Sequence, residues 1–180
     1  MSEAPSTYFS GNQPMQSLAP AVKALLSSPR SFFEHMPRAV YRWDAIFFVS
    51  IVVFIASFLS VPFFSMTFLF MLPVTWGLSL IALWLWSKYL SWAVRSFAKQ
   101  KLSSTNAFQF SAYATFPMAL SSIPYLGLIT SLWSLYLLWL ALVARCKVSG
   151  GASAAILLLP IVLLAASTTA LTLLVMRSMS

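Results

Sequence analysis

Reactive side chains are scarce in this sequence, and their placement narrows the chemistry it can do. Acids occur only at Glu3, Glu34 and Asp44 in 180 residues, so none is present from residue 45 onward. Proton relays, cation-coupled transporters and intramembrane aspartyl proteases hold ionisable groups at membrane depth, and a glycosidase needs two carboxylates flanking its bond. His35 is the single histidine and stands beside Glu34; such a residue reads more simply as solvated surface than as a general base. One His and one Cys (Cys146) cannot supply the three or four ligands of a metal site. A serine nucleophile needs a positioned base, and His35 is remote in sequence from Ser111, Ser121 and Ser122. The SGG run Ser149 to Gly151 reads as a connector, not a phosphate loop. Cys146 has no cysteine to pair with. Its neighbours Arg145 and Lys147 favour a lowered thiol pKa, hence reactivity or acylation; a thiol with no task is the plainer reading. No catalysis, cofactor or metal is expected.

The polar side chains with a pattern stand at Gln109, Ser111, Tyr113 and Thr115, followed by Pro117. With Ser121 and Ser122 they form a candidate polar groove, in which Pro117 would free a backbone carbonyl. The plainer reading is hydrogen bonding to neighbouring helices, worth about 0.6 kcal/mol apiece. These residues belong to the first of two apolar helices joined by an uncharged turn, Ser121 to Gly127. The second helix carries no charge from Leu126 to Val143 and stops at Arg145 and Lys147. A weakly polar helix folded against a strongly apolar one implies an inner helix packed by its neighbours. Trp76, Trp133 and Trp139 read as packing or interface anchors rather than a stacking site.

The positioning elements must be membrane helices. The chain is 60% hydrophobic and 8% charged, with a mean hydropathy of +0.86; a soluble domain is about a quarter charged. The surrounding solvent is therefore lipid, and one helical domain accounts for the length. The net charge is +8, but Lys and Arg flank apolar runs, as anchoring to anionic headgroups requires. Nucleic-acid binding would need a clustered soluble basic face, which the sequence lacks.

Residues 1–17 read as a flexible, retained tail without the basic-then-apolar pattern of a signal peptide. Residues 18–42 read as an amphipathic interfacial segment. Leu18, Val22, Leu25 and Leu26 recur at helical spacing, and Ser28-Pro29 starts a second short helix through Phe32, Phe33 and Met36. The segment suits the headgroup plane, apolar side down, or serves as a docking surface for a soluble partner. Tyr41 and Trp43 sit where an aromatic belt would be, and Asp44 suits a helix N-terminus. The transmembrane domain, 43–177, contains spans over about 45–64, 66–87, 105–121, 126–145 and 154–176. From Met66 to Lys99 an unbroken helix would be about 50 Å long, so the second span is expected to bend into an interfacial segment. Residues 148–153 read as a flexible connector.

Orientation follows from charge. Lys23, Arg30, Arg38 and Arg42 precede the first span; Lys88, Arg95, Lys99 and Lys101 separate the second from the third; Arg145 and Lys147 separate the fourth from the fifth. The other side receives only Arg177. The positive-inside rule then gives an all-α bundle of five transmembrane helices, N-terminus cytoplasmic and C-terminus on the far side.

Four stretches resemble the Yip family of five-span membrane proteins in its small prokaryotic form. LLSSPRSFFEHM is similar to the family's pre-membrane Ser-Pro-x-x-Phe-Phe element, and FQFSAYATFP to its Ala-Tyr-x-x-x-Pro element. IPYLGLITSLWSLYLLWLAL is similar to its Ile-Pro-x-x-Gly-x-x-x-x-x-Trp run, and ARCKVSGGASAAILLLP to the basic loop entering the last span. The likeness covers roughly residues 25 to 176. The Asp-Leu-Tyr-Gly-Pro box of eukaryotic trafficking members is absent, so Rab-dependent traffic is not carried over. The resemblance implies the topology and a bacterial inner membrane.

Two functions fit. The first is a membrane adaptor, scaffold or accessory subunit. Its cytoplasmic face (Arg30, Phe32, Phe33, Arg38, Trp92, Arg95, Lys99 and Lys101) would hold anionic lipid, a membrane-protein partner or a second copy of the chain. The alternative is a neutral-substrate or lipid-handling pore lined by Gln109, Ser111, Tyr113, Thr115 and Pro117.

Overall fold

In the computed structural model, residues 8–37, 42–64 and 70–178 are described. Arg38, Tyr41, residues 1–7 and the expected start of the second span at 65–69 lie outside them. Seven α-helices and one 3-10 turn make up the secondary structure of the described residues: α1 (Pro14–Ser27), α2 (Pro29–His35), α3 (Trp43–Phe64), α4 (Leu72–Ala98), α5 (Ser104–Ala114), the 3-10 turn (Phe116–Leu120), α6 (Leu126–Ala144) and α7 (Gly150–Ser178). Three of them, over Trp43–Pro62, Leu126–Ala144 and Gly150–Thr169, are long and apolar enough to cross a membrane.

α5 is the inner helix, as its mixed composition predicts. Ala107, Phe108 and every residue from Phe110 to Ala114 are buried, because α3, α4 and α6 all pack against it. Ser103 caps it, accepting from the Thr105 N–H at 3.2 Å. The third run does not stay α-helical to residue 121. Pro117 has no N–H to give the Tyr113 carbonyl, and the chain tightens into the 3-10 turn, with Met118 N–H reaching Thr115 O at 2.8 Å.

α3 buries Ala45, Phe48, Val49 and Val52, an i, i+3, i+4, i+7 stripe, and leaves Phe47, Phe54 and Phe58 outside. α4 starts with Pro73 in its first turn, where a missing N–H costs nothing. It runs as one helix for 27 residues, about 40 Å, through the stretch expected to bend into an interfacial segment. Its buried stripe, Leu83, Ser87, Leu90, Ser91 and Val94, keeps helical register into the basic end, so packing carries the helix on. Lys99 ends it in the left-handed region at φ 54°. α7 begins at Gly150 rather than Ala154, absorbing most of the expected connector. Ser149 accepts there through its carbonyl from Ser153 N–H at 2.9 Å, and Trp139 Nε1–H donates to Gly150 O at 3.0 Å.

The N-terminal segment departs most from expectation. From Tyr8 onward it is built into the bundle: Phe9, Ala21, Leu25, Phe32, Phe33 and Met36 are all buried in the main core. α2 packs against α6, so its apolar side meets protein instead of lipid. A hydrophobic pattern fixes which face is buried but not the medium that buries it.

Candidate functional site

The structure separates two places where binding chemistry is concentrated. The first is a groove of about 1270 Å³ between α2, the C-terminal ends of α4 and α6, and the start of α5. Arg95, Lys99, Lys101, Arg145 and Lys147 line it, with Glu34 as its one acid. Lys147 pairs with Glu34 at 3.0 Å on an open surface, and this hydrogen bond, aided by the lysine's charge, holds the Glu34 carboxyl below its ordinary range. Arg145 donates to Met36 O and to Pro37 O at 3.0 Å, stitching the end of α2 to the end of α6. Arg95, Lys99 and Lys101 are exposed and make no ion pair among the described residues. Burial pushes the Cys146 thiol up to about 11 against the opposing pull of Arg145. Desolvation wins over the cationic neighbours here, so the reactive-thiol reading is corrected.

The cytoplasmic-face candidates therefore divide. Arg95, Lys99 and Lys101 line the groove. Arg30 is exposed but outside the groove lining. Trp92 is 56% exposed, its ring 6.2 Å from that of the exposed Phe97 and 6.1 Å from that of Tyr89, which packs inward and donates to Ile156 O at 2.7 Å. Phe32 and Phe33, at 3% and 0% exposure, are core residues and cannot present a face. Sequence reasoning missed Arg145, Lys147 and Glu34 as groove residues; the Lys147–Glu34 pair joins positions 113 apart, beyond any local signal.

The second place is a cavity of about 700 Å³ between α3, α4, the end of α5, the 3-10 turn and α6. Of the polar-groove candidates, Ser111 and Thr115 line it, together with Ser121 and Ser122, while Gln109, Tyr113 and Pro117 do not. Tyr113 instead braces the N-terminal segment. Its hydroxyl accepts from Phe9 N–H at 3.2 Å, and its ring meets Phe32 and Phe48 at centroid distances of 5.1 and 4.8 Å. Trp86 and Ser134 also line the cavity, which the sequence alone did not indicate. Among the described residues no cluster of three or more His, Cys, Asp or Glu exists to hold a metal.

A family model, the Yip1 domain, matches residues 23–171. The chain belongs to the Yip1 family. It is a membrane protein of that family, and the resemblance drawn from its motifs holds. No curated protein and no solved structure matches it. In this Yip1 domain the motif residues are largely structural. Pro29 opens α2, Phe32 and Phe33 fill the core, and Tyr113 and Pro117 are both buried where α5 gives way to the 3-10 turn.

Proposed function

We propose that this Yip1-family protein is a non-catalytic adaptor of the bacterial inner membrane that crosses it five times from a cytoplasmic N-terminus. Its basic groove holds anionic lipid headgroups and, through them or directly, a membrane-protein partner or second copy. The observation that carries this reading is the gathering of Arg95, Lys99 and Lys101, three exposed cations without acidic partners among the described residues, beside the Lys147–Glu34 pair. Groups brought together from separate loops at one end of a bundle fit a cytoplasmic surface, where each cation near anionic lipid contributes about 1 kcal/mol. The apolar outward faces of α3 and α7 suit contact with lipid tails, with Leu158 and Ile161 to Leu164 all exposed on α7.

Flotation with phosphatidylglycerol vesicles, and co-purification in mild detergent at native expression, test the reading. Replacing Arg95, Lys99 and Lys101 by glutamine should reduce both. Retention of both, or a protein that always isolates alone and without anionic lipid, contradicts it. A second reading, passage of a neutral substrate, is favoured only by the hydroxyl-lined cavity; solute flux in reconstituted vesicles tests that.

A further inference from the structure

The cavity shares no lining residue with the basic groove, and no charged side chain lines it. Three polar atoms in its wall are buried with no hydrogen-bond partner in the protein: Trp86 Nε1, Ser111 Oγ and Ser134 Oγ. Ser111 is 2% exposed and Ser134 7%. Other hydroxyls lining the same space are satisfied at home, as Thr115 is on Ala112 O and Ser131 on Gly127 O, both at 2.7 Å. Buried polar groups are almost always paired, so three orphans on three different helices around one cavity point to something that pairs them.

The chemistry of the orphans restricts the occupant. An indole N–H only donates, so the occupant brings an acceptor; a serine hydroxyl donates and accepts, so a hydroxyl can meet the other two. A charged group would lie in an apolar site without a counter-ion, at high cost. Ala82, midway along α4, is exposed and the mid-helix Val53 and Leu135 are half-buried, whereas Val49 and Leu138 are buried, so the site reaches the outer flanks of the helices sideways. On helices surrounded by lipid, sideways means toward acyl chains. The volume lies within the range of sites that enclose a small ligand.

We propose that the cavity binds an uncharged glycerolipid of the diacylglycerol class. An ester carbonyl accepts from Trp86 Nε1–H, the free hydroxyl pairs with Ser111 and Ser134, and the upper acyl chains lie along the apolar floor. The site shares its location with the passage reading but does not rest on it, because occupancy requires no path through the bundle.

The test uses the full chain in phosphatidylcholine vesicles with a diazirine-bearing diacylglycerol, and the same diazirine chain on phosphatidylcholine as control. Photolabelling by the diacylglycerol probe is expected on peptides containing Val53, Ala82 and Leu135, with competition by excess dioleoylglycerol. Trp86→Phe and Ser134→Ala should each lower labelling about fivefold, the loss of one hydrogen bond. Ser134→Ala should also raise the lipid-free melting temperature, since it removes an unpaired buried hydroxyl, which shows that the variant folds. Equal labelling by both probes, labelling indifferent to both substitutions, or no labelling at the cavity overturns the proposal. Labelling without solute flux upholds it and removes passage alone.

Discussion

Tyr113 ties two distant parts of the chain through one hydroxyl, taking the Phe9 N–H across 104 positions. Tyr113→Phe keeps the ring contacts and deletes that acceptor, and should cost about 1 kcal/mol in thermal unfolding followed by near-ultraviolet circular dichroism. Phe33→Ala removes a ring with 0% exposure and should cost about 3–5 kcal/mol in the same assay. Glu34 gives a pH signature. Its carboxyl is held below the ordinary range by Lys147, so the pair stabilises the α2–α6 junction at neutral pH. That contribution starts to fade as pH falls through the ordinary carboxylate range, and is lost once the folded carboxyl protonates below it. Glu34→Gln should flatten the acid limb of a plot of melting temperature against pH; an unchanged limb would assign the acid sensitivity elsewhere. Cys146, pushed up to about 11, should react with iodoacetamide at pH 8 about a hundredfold more slowly than a free cysteine, until the protein is unfolded.

At the scale of elements, the apolar rods were readable from sequence and the strap across their basic end was not. The lengths of α3 and α6 follow from uncharged runs bounded by Trp43 and Asp44 at one and Arg145 at the other. Pro117 was read as freeing a carbonyl within a span kept to residue 121, whereas the α-helix stops short of it and the 3-10 turn takes over. The pattern in Leu18, Leu25, Phe32 and Phe33 named an apolar face without naming its partner. The contacts that decide the partner, Phe9 with Tyr113, Gly11 with Asp44 and Met36 with Arg145, join residues 33 to 109 positions apart. The polar third run was grouped against its own helical spacing. Residues two apart lie on opposite sides of a helix, so Ser111 and Thr115 share the cavity face while Tyr113 braces the strap from the other side; Trp86 and Ser134 come from other helices. Arg145→Ala should release the end of α2, raising hydrogen exchange of the α2 amides and cleavage by trypsin after Arg30 while α5 stays protected. Uniform loss of protection would mean that the strap and bundle unfold together.

For the whole molecule, the asymmetry of charge is the organising feature. Loops far apart in sequence converge, so that Arg95, Lys99, Lys101, Arg145 and Lys147 share one groove at one end. At the other end the loop after the 3-10 turn meets α3 through Ser122 Oγ–H donating to Ala56 O at 2.7 Å, and no Lys or Arg occurs between Ala45 and Ser87 or between Leu102 and Ala144. In the proposed topology, five crossings with the basic end in the cytoplasm, that separation would serve as an orientation signal and a binding surface at once. The direct measurement is compartment labelling of single cysteines at Asn12 and Ser180, in a Cys146→Ser background, with a membrane-impermeant maleimide on sealed cells. The cysteine at 180 should label at once, and the one at 12 only after permeabilisation. Both in the same compartment would contradict the five crossings and the cytoplasmic placement of the basic groove.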